Sequence, residues 1–394
     1  MSKRTARTKS PISPKKPGGR KTLVESIKRE EKKGQNTAAQ EKDDDLAVKP
    51  VNPYIDFVLG LAFIILCFNL VRILSNKTDY YMLGFFAVSL VVVAFGTRCV
   101  AFCSKHFALF ISNCRTGKNI PKDCRNPMKS KLALRKFSDQ AWQLTIHTTM
   151  TMFEVYLLFV YKDENNHTSE QWWSDPVTCT RPCPVEYAEG RLSRPMILNK
   201  FYLFQLAIWV YTGFSCKWIE ARRKDYLQMM THHVITIMLV IFSFASENQP
   251  IGLVILFVHD FSDIFLDLMK MCNYLKLEGT HGMFIVETVF AINTFITWPY
   301  LRLYYFPVYV IYNGTAKGYL NNCGGGNEAN SLLRQIELCR GLDFCTGGNT
   351  LLVLLACLHW FWYFLMLRIL YKLLTGKSGN LNRAGKEVYE GESD

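Results

Sequence analysis

The chain has 394 residues, 49% of them hydrophobic and 14% aromatic, with a formal net charge of +13. That content alone would suit a soluble protein of two or three domains, but the apolar residues are gathered into long runs that exclude one. The positive charge invites a nucleic-acid partner, and its placement excludes it. Basic residues sit in a tail and in the loops between the runs, the pattern of cationic loops kept on one side of a bilayer.

Residues 1–50 are rich in Lys, Arg, Ser and Pro, carry an acidic patch at Asp43-Asp44-Asp45 and lack the apolar core of a signal peptide. This composition predicts a disordered basic tail. Beyond it, stretches of about 17–25 apolar residues mark about eight transmembrane helices. They are Tyr54–Leu74, Tyr81–Ala101, Trp142–Tyr161, Leu198–Ile219, Leu227–Ala245, Ile251–Met271, Met283–Tyr312 and Leu351–Leu374. The seventh is long and holds Pro299 and Pro307, so it is expected to be kinked or partly re-entrant. The fifth and sixth are polar enough for a plain hydropathy scan to drop either one. The expected class is an all-α polytopic membrane protein. Its divisions are a tail over 1–50, two N-terminal helices and a linker over 51–128, a catalytic domain over 129–375 and a second tail over 376–394.

Basic loops at Lys105–Lys136, Lys217–Lys224, Lys270–Lys276 and after Lys372 read as cytosolic, together with both termini. The alternating segments carry every glycosylation sequon, with acceptors Asn76, Asn166 and Asn313. Of the 13 cysteines, Cys179, Cys183, Cys323, Cys339 and Cys345 lie in these presumed lumenal segments. Disulfides are permitted there, and Cys179–Cys183 and Cys339–Cys345 are close enough in sequence to pair. No Cys-x-x-Cys zinc pattern exists.

The fifth and sixth stretches hold the residues that could do chemistry. Ionisable side chains in hydrocarbon cost a few kcal/mol on insertion scales and mark a functional site by default. His232 and Thr236 share a helix face, with His233 turned roughly 100° away. In the next helix Asp260, Asp263, Asp267 and Lys270 form a polar stripe, and His259 stands one turn before Asp263. At 1.5 Å per residue both clusters lie about 12 Å from the cytosolic end, so they can meet at one depth. A carboxylate beside an imidazole fixes its tautomer and raises its basicity, and an imidazole can itself accept an acyl group. Either role suits acyl transfer to an amine. The bland alternative is that these groups hydrogen-bond two helices together. A metal site competes as well, but the 8 histidines lack di-iron spacings, and adjacent histidines point apart. Arg222-Arg223-Lys224 precedes the histidine helix, as a topogenic anchor that could also hold coenzyme A phosphates.

At these residues the chain resembles the ceramide synthases, the TLC-domain N-acyltransferases of the endoplasmic reticulum. Lys136-Phe137-Ser138-Asp139-Gln140-Ala141-Trp142 is similar to the family's KFxExxW opening, with Asp for the usual Glu. Lys224-Asp225-Tyr226 matches the lead-in to the double histidine, and His259-Asp260-x-Ser262-Asp263-x-x-x-Asp267-x-x-Lys270 matches HDxSDxxLExxK, again with Asp for Glu. Arg302, Phe306-Pro307 and Leu358-His359-x-x-Trp362 echo the last helices, so the likeness runs from about Lys129 to Leu374. The chain departs from the family at Ser243–Pro250, in a long glycine-rich loop over Asn313–Asn349, and in lacking the homeobox-like insert of some animal members.

The resemblance implies transfer of a fatty acyl group from acyl-CoA, as co-substrate and without a metal or cofactor, to the amine of a sphingoid base. It implies catalytic His232, His233, Asp260 and Asp263, support from His259, Asp267, Lys270 and Thr236, and substrate contacts from Arg222, Arg223, Lys224, Trp142 and Arg302. It also implies six helices in a ring around a tunnel for two lipid chains. Whether the chain works as a homodimer or with a small single-span regulatory subunit stays open. A non-enzymatic TLC protein that handles lipids or assists a translocon, and a metal-dependent ceramide hydrolase, are the other readings. The first would not need the histidine and aspartate motifs.

Overall fold

Helix propensity and the need to satisfy every backbone group inside hydrocarbon both favour helices here. A computed structural model describes residues 52–114, 131–162, 169–179, 196–219, 226–246, 248–317 and 342–375, and every element among them is helical. Helix α1 (Pro53–Lys77) starts where the Asn52 side chain accepts from the Tyr54 N–H at 3.0 Å, with Pro53 in the first turn. It ends at Thr78, whose hydroxyl donates to the Leu74 carbonyl. Asp79 caps α2 (Tyr80–Cys114) by accepting from the Met82 N–H at 2.8 Å, so two residues make the whole turn.

Then come α3 (Lys131–Val155), extended by a π turn through Val160, and the short α4 (Glu170–Ser174). They are followed by α5 (Met196–Trp218), α6 (Tyr226–Ala245) and α7 (Gln249–Tyr274). Helix α8 begins at Ile285–Ile292 and continues in π geometry over Asn293–Thr297 and Pro299–Lys317. The last is α9 (Leu342–Leu374). The seventh apolar stretch thus stays helical through both prolines. Pro299 opens a π segment, where its missing N–H is least needed, and Pro307 sits inside the same wide turns.

Four of these helices, Pro53–Asn76, Tyr80–Ile111, Tyr226–Ala245 and Gly347–Leu374, are long and apolar enough to cross a membrane. The histidine helix is among them, contrary to the expectation that its polarity could hide it. Helix α7, which carries three aspartates and Lys270, is not. α1 exposes Phe57, Val58, Leu61, Ile64, Ile65 and Phe68 together, a face that hydrocarbon would cover. The chain is a multi-pass membrane protein.

The described helices belong to one unit, Pro50–Asp394. Helix α7 is its hub: it packs along α3 and α8 and also touches α5 and α6, while α9 packs on α6 and α8. α2 lies against α3 and α5, and α1 against α6. Gly252 permits the close approach of α5 to α7. A Cβ there would overlap the Tyr202 hydroxyl, which donates to the Gln249 carbonyl at 2.9 Å. Lys217 of α5 and Tyr226 of α6 both bind the Asp56 carboxylate of α1, at 2.5 and 2.7 Å, and fasten α1 to the core. The tails, the sequon at Asn166, Cys183, Cys323 and Cys339 lie outside the described residues.

Candidate active site

Helices α3, α5, α6, α7, α8 and α9 line a cavity of about 130 Å³. Its wall includes His232 and His233 of α6, Asp263, Asp267 and Lys270 of α7, Arg302 of α8, and Gln140 and His147 of α3. The two histidines are held by rings. Trp209 of α5 lies 5.7 Å from His232 and 5.9 Å from His233, and Trp362 of α9 meets His232 edge-on at 5.4 Å. The Nδ1 atoms of both histidines have no hydrogen-bond partner among the described residues. Adjacent on one helix, they still face one space, because the 100° between them spans the cavity wall.

The stripe on α7 divides. Asp263 pairs with Arg302 at 2.6 Å, and Arg302 also donates to the Ser262 hydroxyl at 2.6 Å and the His259 carbonyl at 3.0 Å. Its guanidinium stacks over Trp298 at 4.5 Å and is buried. The arginine is thereby both charge-balanced and fully bonded, as a buried cation requires. Asp267 accepts from Gln140 Nε2 at 2.5 Å and from His147 Nδ1 at 2.6 Å.

Asp260 turns away from the cavity. It accepts from Gln205 Nε2 of α5 at 2.9 Å, and the same amide donates to Glu154 of α3 at 3.1 Å. All three are buried, forming a second polar layer beyond the histidines. His259 makes no bond to Asp263, although it stands one turn before it. Its Nδ1 donates to the Ile255 carbonyl at 2.6 Å, and its Nε2 lies 3.0 Å from Nε2 of His359. A carbonyl only accepts, so neutral His259 carries its proton on Nδ1 and His359 donates from Nε2. Asp263, one turn further on, is instead held by Arg302.

The cavity therefore gathers His232, His233, Asp263, Asp267, Lys270 and Arg302. Thr236 is buried outside its wall, and Trp142 packs outward, its ring 3.5 Å from where a Cβ on Gly96 of α2 would sit. Arg222, Arg223 and Lys224 lie outside the described residues. His147, Gln140, Glu154 and Gln205 are the residues that sequence reasoning passed over. Their signal was a polar series on α3, Gln140, His147 and Glu154 at steps of seven, facing the acidic stripe of α7. Among the described residues no group of three or more His, Cys, Asp or Glu side chains is arranged to hold one metal ion.

The family model described as the TLC domain matches residues 136–368, more than half of the chain. The chain belongs to the TLC-domain family. Every cavity residue named above lies within the matched range. The chain is also similar to the rice ASC1-like protein 3, with 28% identity over 66% of this chain and 78% of that protein. It is 26% identical to ceramide synthase 1 LOH3 of Arabidopsis thaliana, over 67% of this chain and 77% of the relative. Human ceramide synthase 1 is 25% identical over 61% of this chain and 62% of its own length.

Proposed function

We propose that the protein is a ceramide synthase, which transfers a fatty acyl group from acyl-CoA to the amine of a sphingoid base. The observation that carries this reading is the buried cavity of the TLC domain, walled by paired histidines and by carboxylates of the following helix. Similarity to relatives named ceramide synthase in plants and mammals supports it.

Acyl transfer to an amine needs an attacking group, a place for the proton it sheds, and a dry site. His232 and His233 supply imidazole nitrogens free of protein hydrogen bonds, able to attack a thioester carbonyl or to take a proton. The Asp263–Arg302 pair fixes charge beside them, so a developing oxyanion meets oriented dipoles instead of reorganising water. Asp260 acts from behind, holding α3, α5 and α7 together through Gln205. A cavity of about 130 Å³ takes the reacting head groups. The lipid chains extend from it between the helices, inside a ring of α3, α5, α6, α7, α8 and α9.

The same reading makes all eight long helical segments membrane spans, with the ring in a catalytic domain over 129–375 and α1 and α2 outside it. It locates the chain in the endoplasmic reticulum with both termini cytosolic. Arg222, Arg223 and Lys224 would then meet the coenzyme A phosphates at the mouth, with no metal or cofactor required. Incubating membranes that contain the chain with sphinganine and acyl-CoAs of graded length tests the proposal. Ceramide that forms at an unchanged rate with a zinc chelator present is expected. Hydrolysis of added ceramide, abolished by the chelator, would favour the amide hydrolase instead.

A further inference from the structure

An imidazole becomes a strong, correctly oriented base when a carboxylate holds its other nitrogen. Neither His232 nor His233 has such a partner, since both Nδ1 atoms are without a hydrogen bond and Asp263 is engaged by Arg302. The carboxylate–imidazole unit in this cavity lies on the facing wall. His147 of α3 donates from Nδ1 to Asp267 of α7 at 2.6 Å, and Gln140 holds the other Asp267 oxygen at 2.5 Å. All three side chains belong to the cavity lining, and His147 is buried. Because a carboxylate cannot donate, neutral His147 must carry its proton on Nδ1, which leaves the Nε2 lone pair available to the cavity. That nitrogen makes no hydrogen bond among the described residues.

We infer that His147 is the general base for the amine half of the reaction, with Asp267 and Gln140 as its positioning residues. This rests on the acyltransferase reading above and divides the labour within it. One of the paired histidines attacks the thioester, its C–S bond breaks, and the imidazole N–H proton leaves with the thiolate as coenzyme A thiol. The sphingoid base arrives as an ammonium ion, which cannot attack. His147 Nε2 takes one proton from it, and the Asp267 carboxylate balances the imidazolium formed. The free amine then forms the C–N bond as the acyl–imidazole bond breaks. The second amine proton goes to the departing imidazole nitrogen, and His147 afterwards releases its own proton to water.

The test compares two acyl acceptors with His147→Ala, His147→Gln and Asp267→Asn in membranes, after subtraction of the enzyme-free reaction. Sphinganine needs deprotonation, whereas hydroxylamine is already neutral at pH 7 and does not. With sphinganine, His147→Ala should lose about 10²-fold or more in kcat, the usual worth of a positioned base. With hydroxylamine it should stay within a few-fold of the native chain, whereas with sphinganine as the only acceptor acyl label should build up on the protein. His147→Gln keeps a donor to Asp267 without a base and should behave the same way, whereas Asp267→Asn should fall part of the way. Equal losses with both acceptors, or sphinganine turnover within a few-fold of native, would overturn the assignment. If the native chain makes no ceramide while the hydroxylamine product still forms, it is the sphingoid-base reading that fails.

Discussion

At the scale of single residues, Arg302 has the heaviest structural duty in the site. It is buried, and it ties Asp263, Ser262 and the His259 carbonyl of one helix to the Trp298 ring of another. Removing one partner of a buried ion pair leaves the other charge stranded, which costs about 3–5 kcal/mol. Arg302→Met should therefore lower the unfolding temperature of the detergent-purified protein markedly. The double variant with Asp263→Asn should recover part of that loss, and a double variant worse than the sum of the singles would refute the pairing. The sequence made the histidines and aspartates legible as types, because ionisable groups in apolar runs stand out. It could not say which carboxylate meets which ring. Asp263 and Asp267 lie one turn apart on α7, yet one faces α8 and the other α3. Only the packing of three helices decides that Asp267 belongs to His147, a residue that looked like one of several scattered histidines.

At the scale of elements, the apolar stretches gave α1, α5, α6 and α7 to within a few residues, whereas α2 runs on to Cys114 and α3 and α9 start earlier, at Lys131 and Leu342; the polar stripe of α7 pointed inward. The seventh stretch was harder. Pro299 and Pro307 predict a kinked or partly re-entrant segment, and the chain keeps a helical run with widened turns from Ile285 to Lys317, with only Trp298 between the π segments. Helix α7 relies on a close approach that its sequence signals only as one glycine. A Cβ at Gly252 would overlap the Tyr202 hydroxyl and crowd the Ser243 hydroxyl. Overpacking of this kind costs about 1–3 kcal/mol. Gly252→Ala should lower thermal stability by that amount, and pairing it with Tyr202→Phe should restore part of it. An unchanged melting profile for Gly252→Ala would mean that α5 and α7 are not so close.

At the scale of the whole molecule, four helices are apolar enough to cross a membrane, and the polar groups that build the site sit on α3, α6, α7 and α8, of which α6 alone is among those four. The proposed sidedness puts the basic loops in the cytosol, and glycosylation tests it directly. Asn166 lies in the hydrophilic stretch of sequence between α3 and α5. Asn313 sits inside the π run of α8, where the Thr315 hydroxyl is buried and donates to the Ile311 carbonyl. Expression in eukaryotic membranes should give an endoglycosidase-sensitive band shift that Asn166→Gln abolishes and Asn313→Gln leaves unchanged. No shift from the native chain, together with a shift gained when a sequon is added before Pro53, would invert the topology.

The central claim is that the paired histidines of α6 carry acyl transfer in this cavity. Ceramide formation from sphinganine and an acyl-CoA that the native chain uses, measured for His232→Ala and His233→Ala, tests it most directly. Protein amount and melting profile are matched to native. The account predicts that each variant stays folded and loses at least about 10²-fold in rate, the scale expected for acid–base or nucleophilic groups. Folded variants that both make ceramide at the native rate would contradict it.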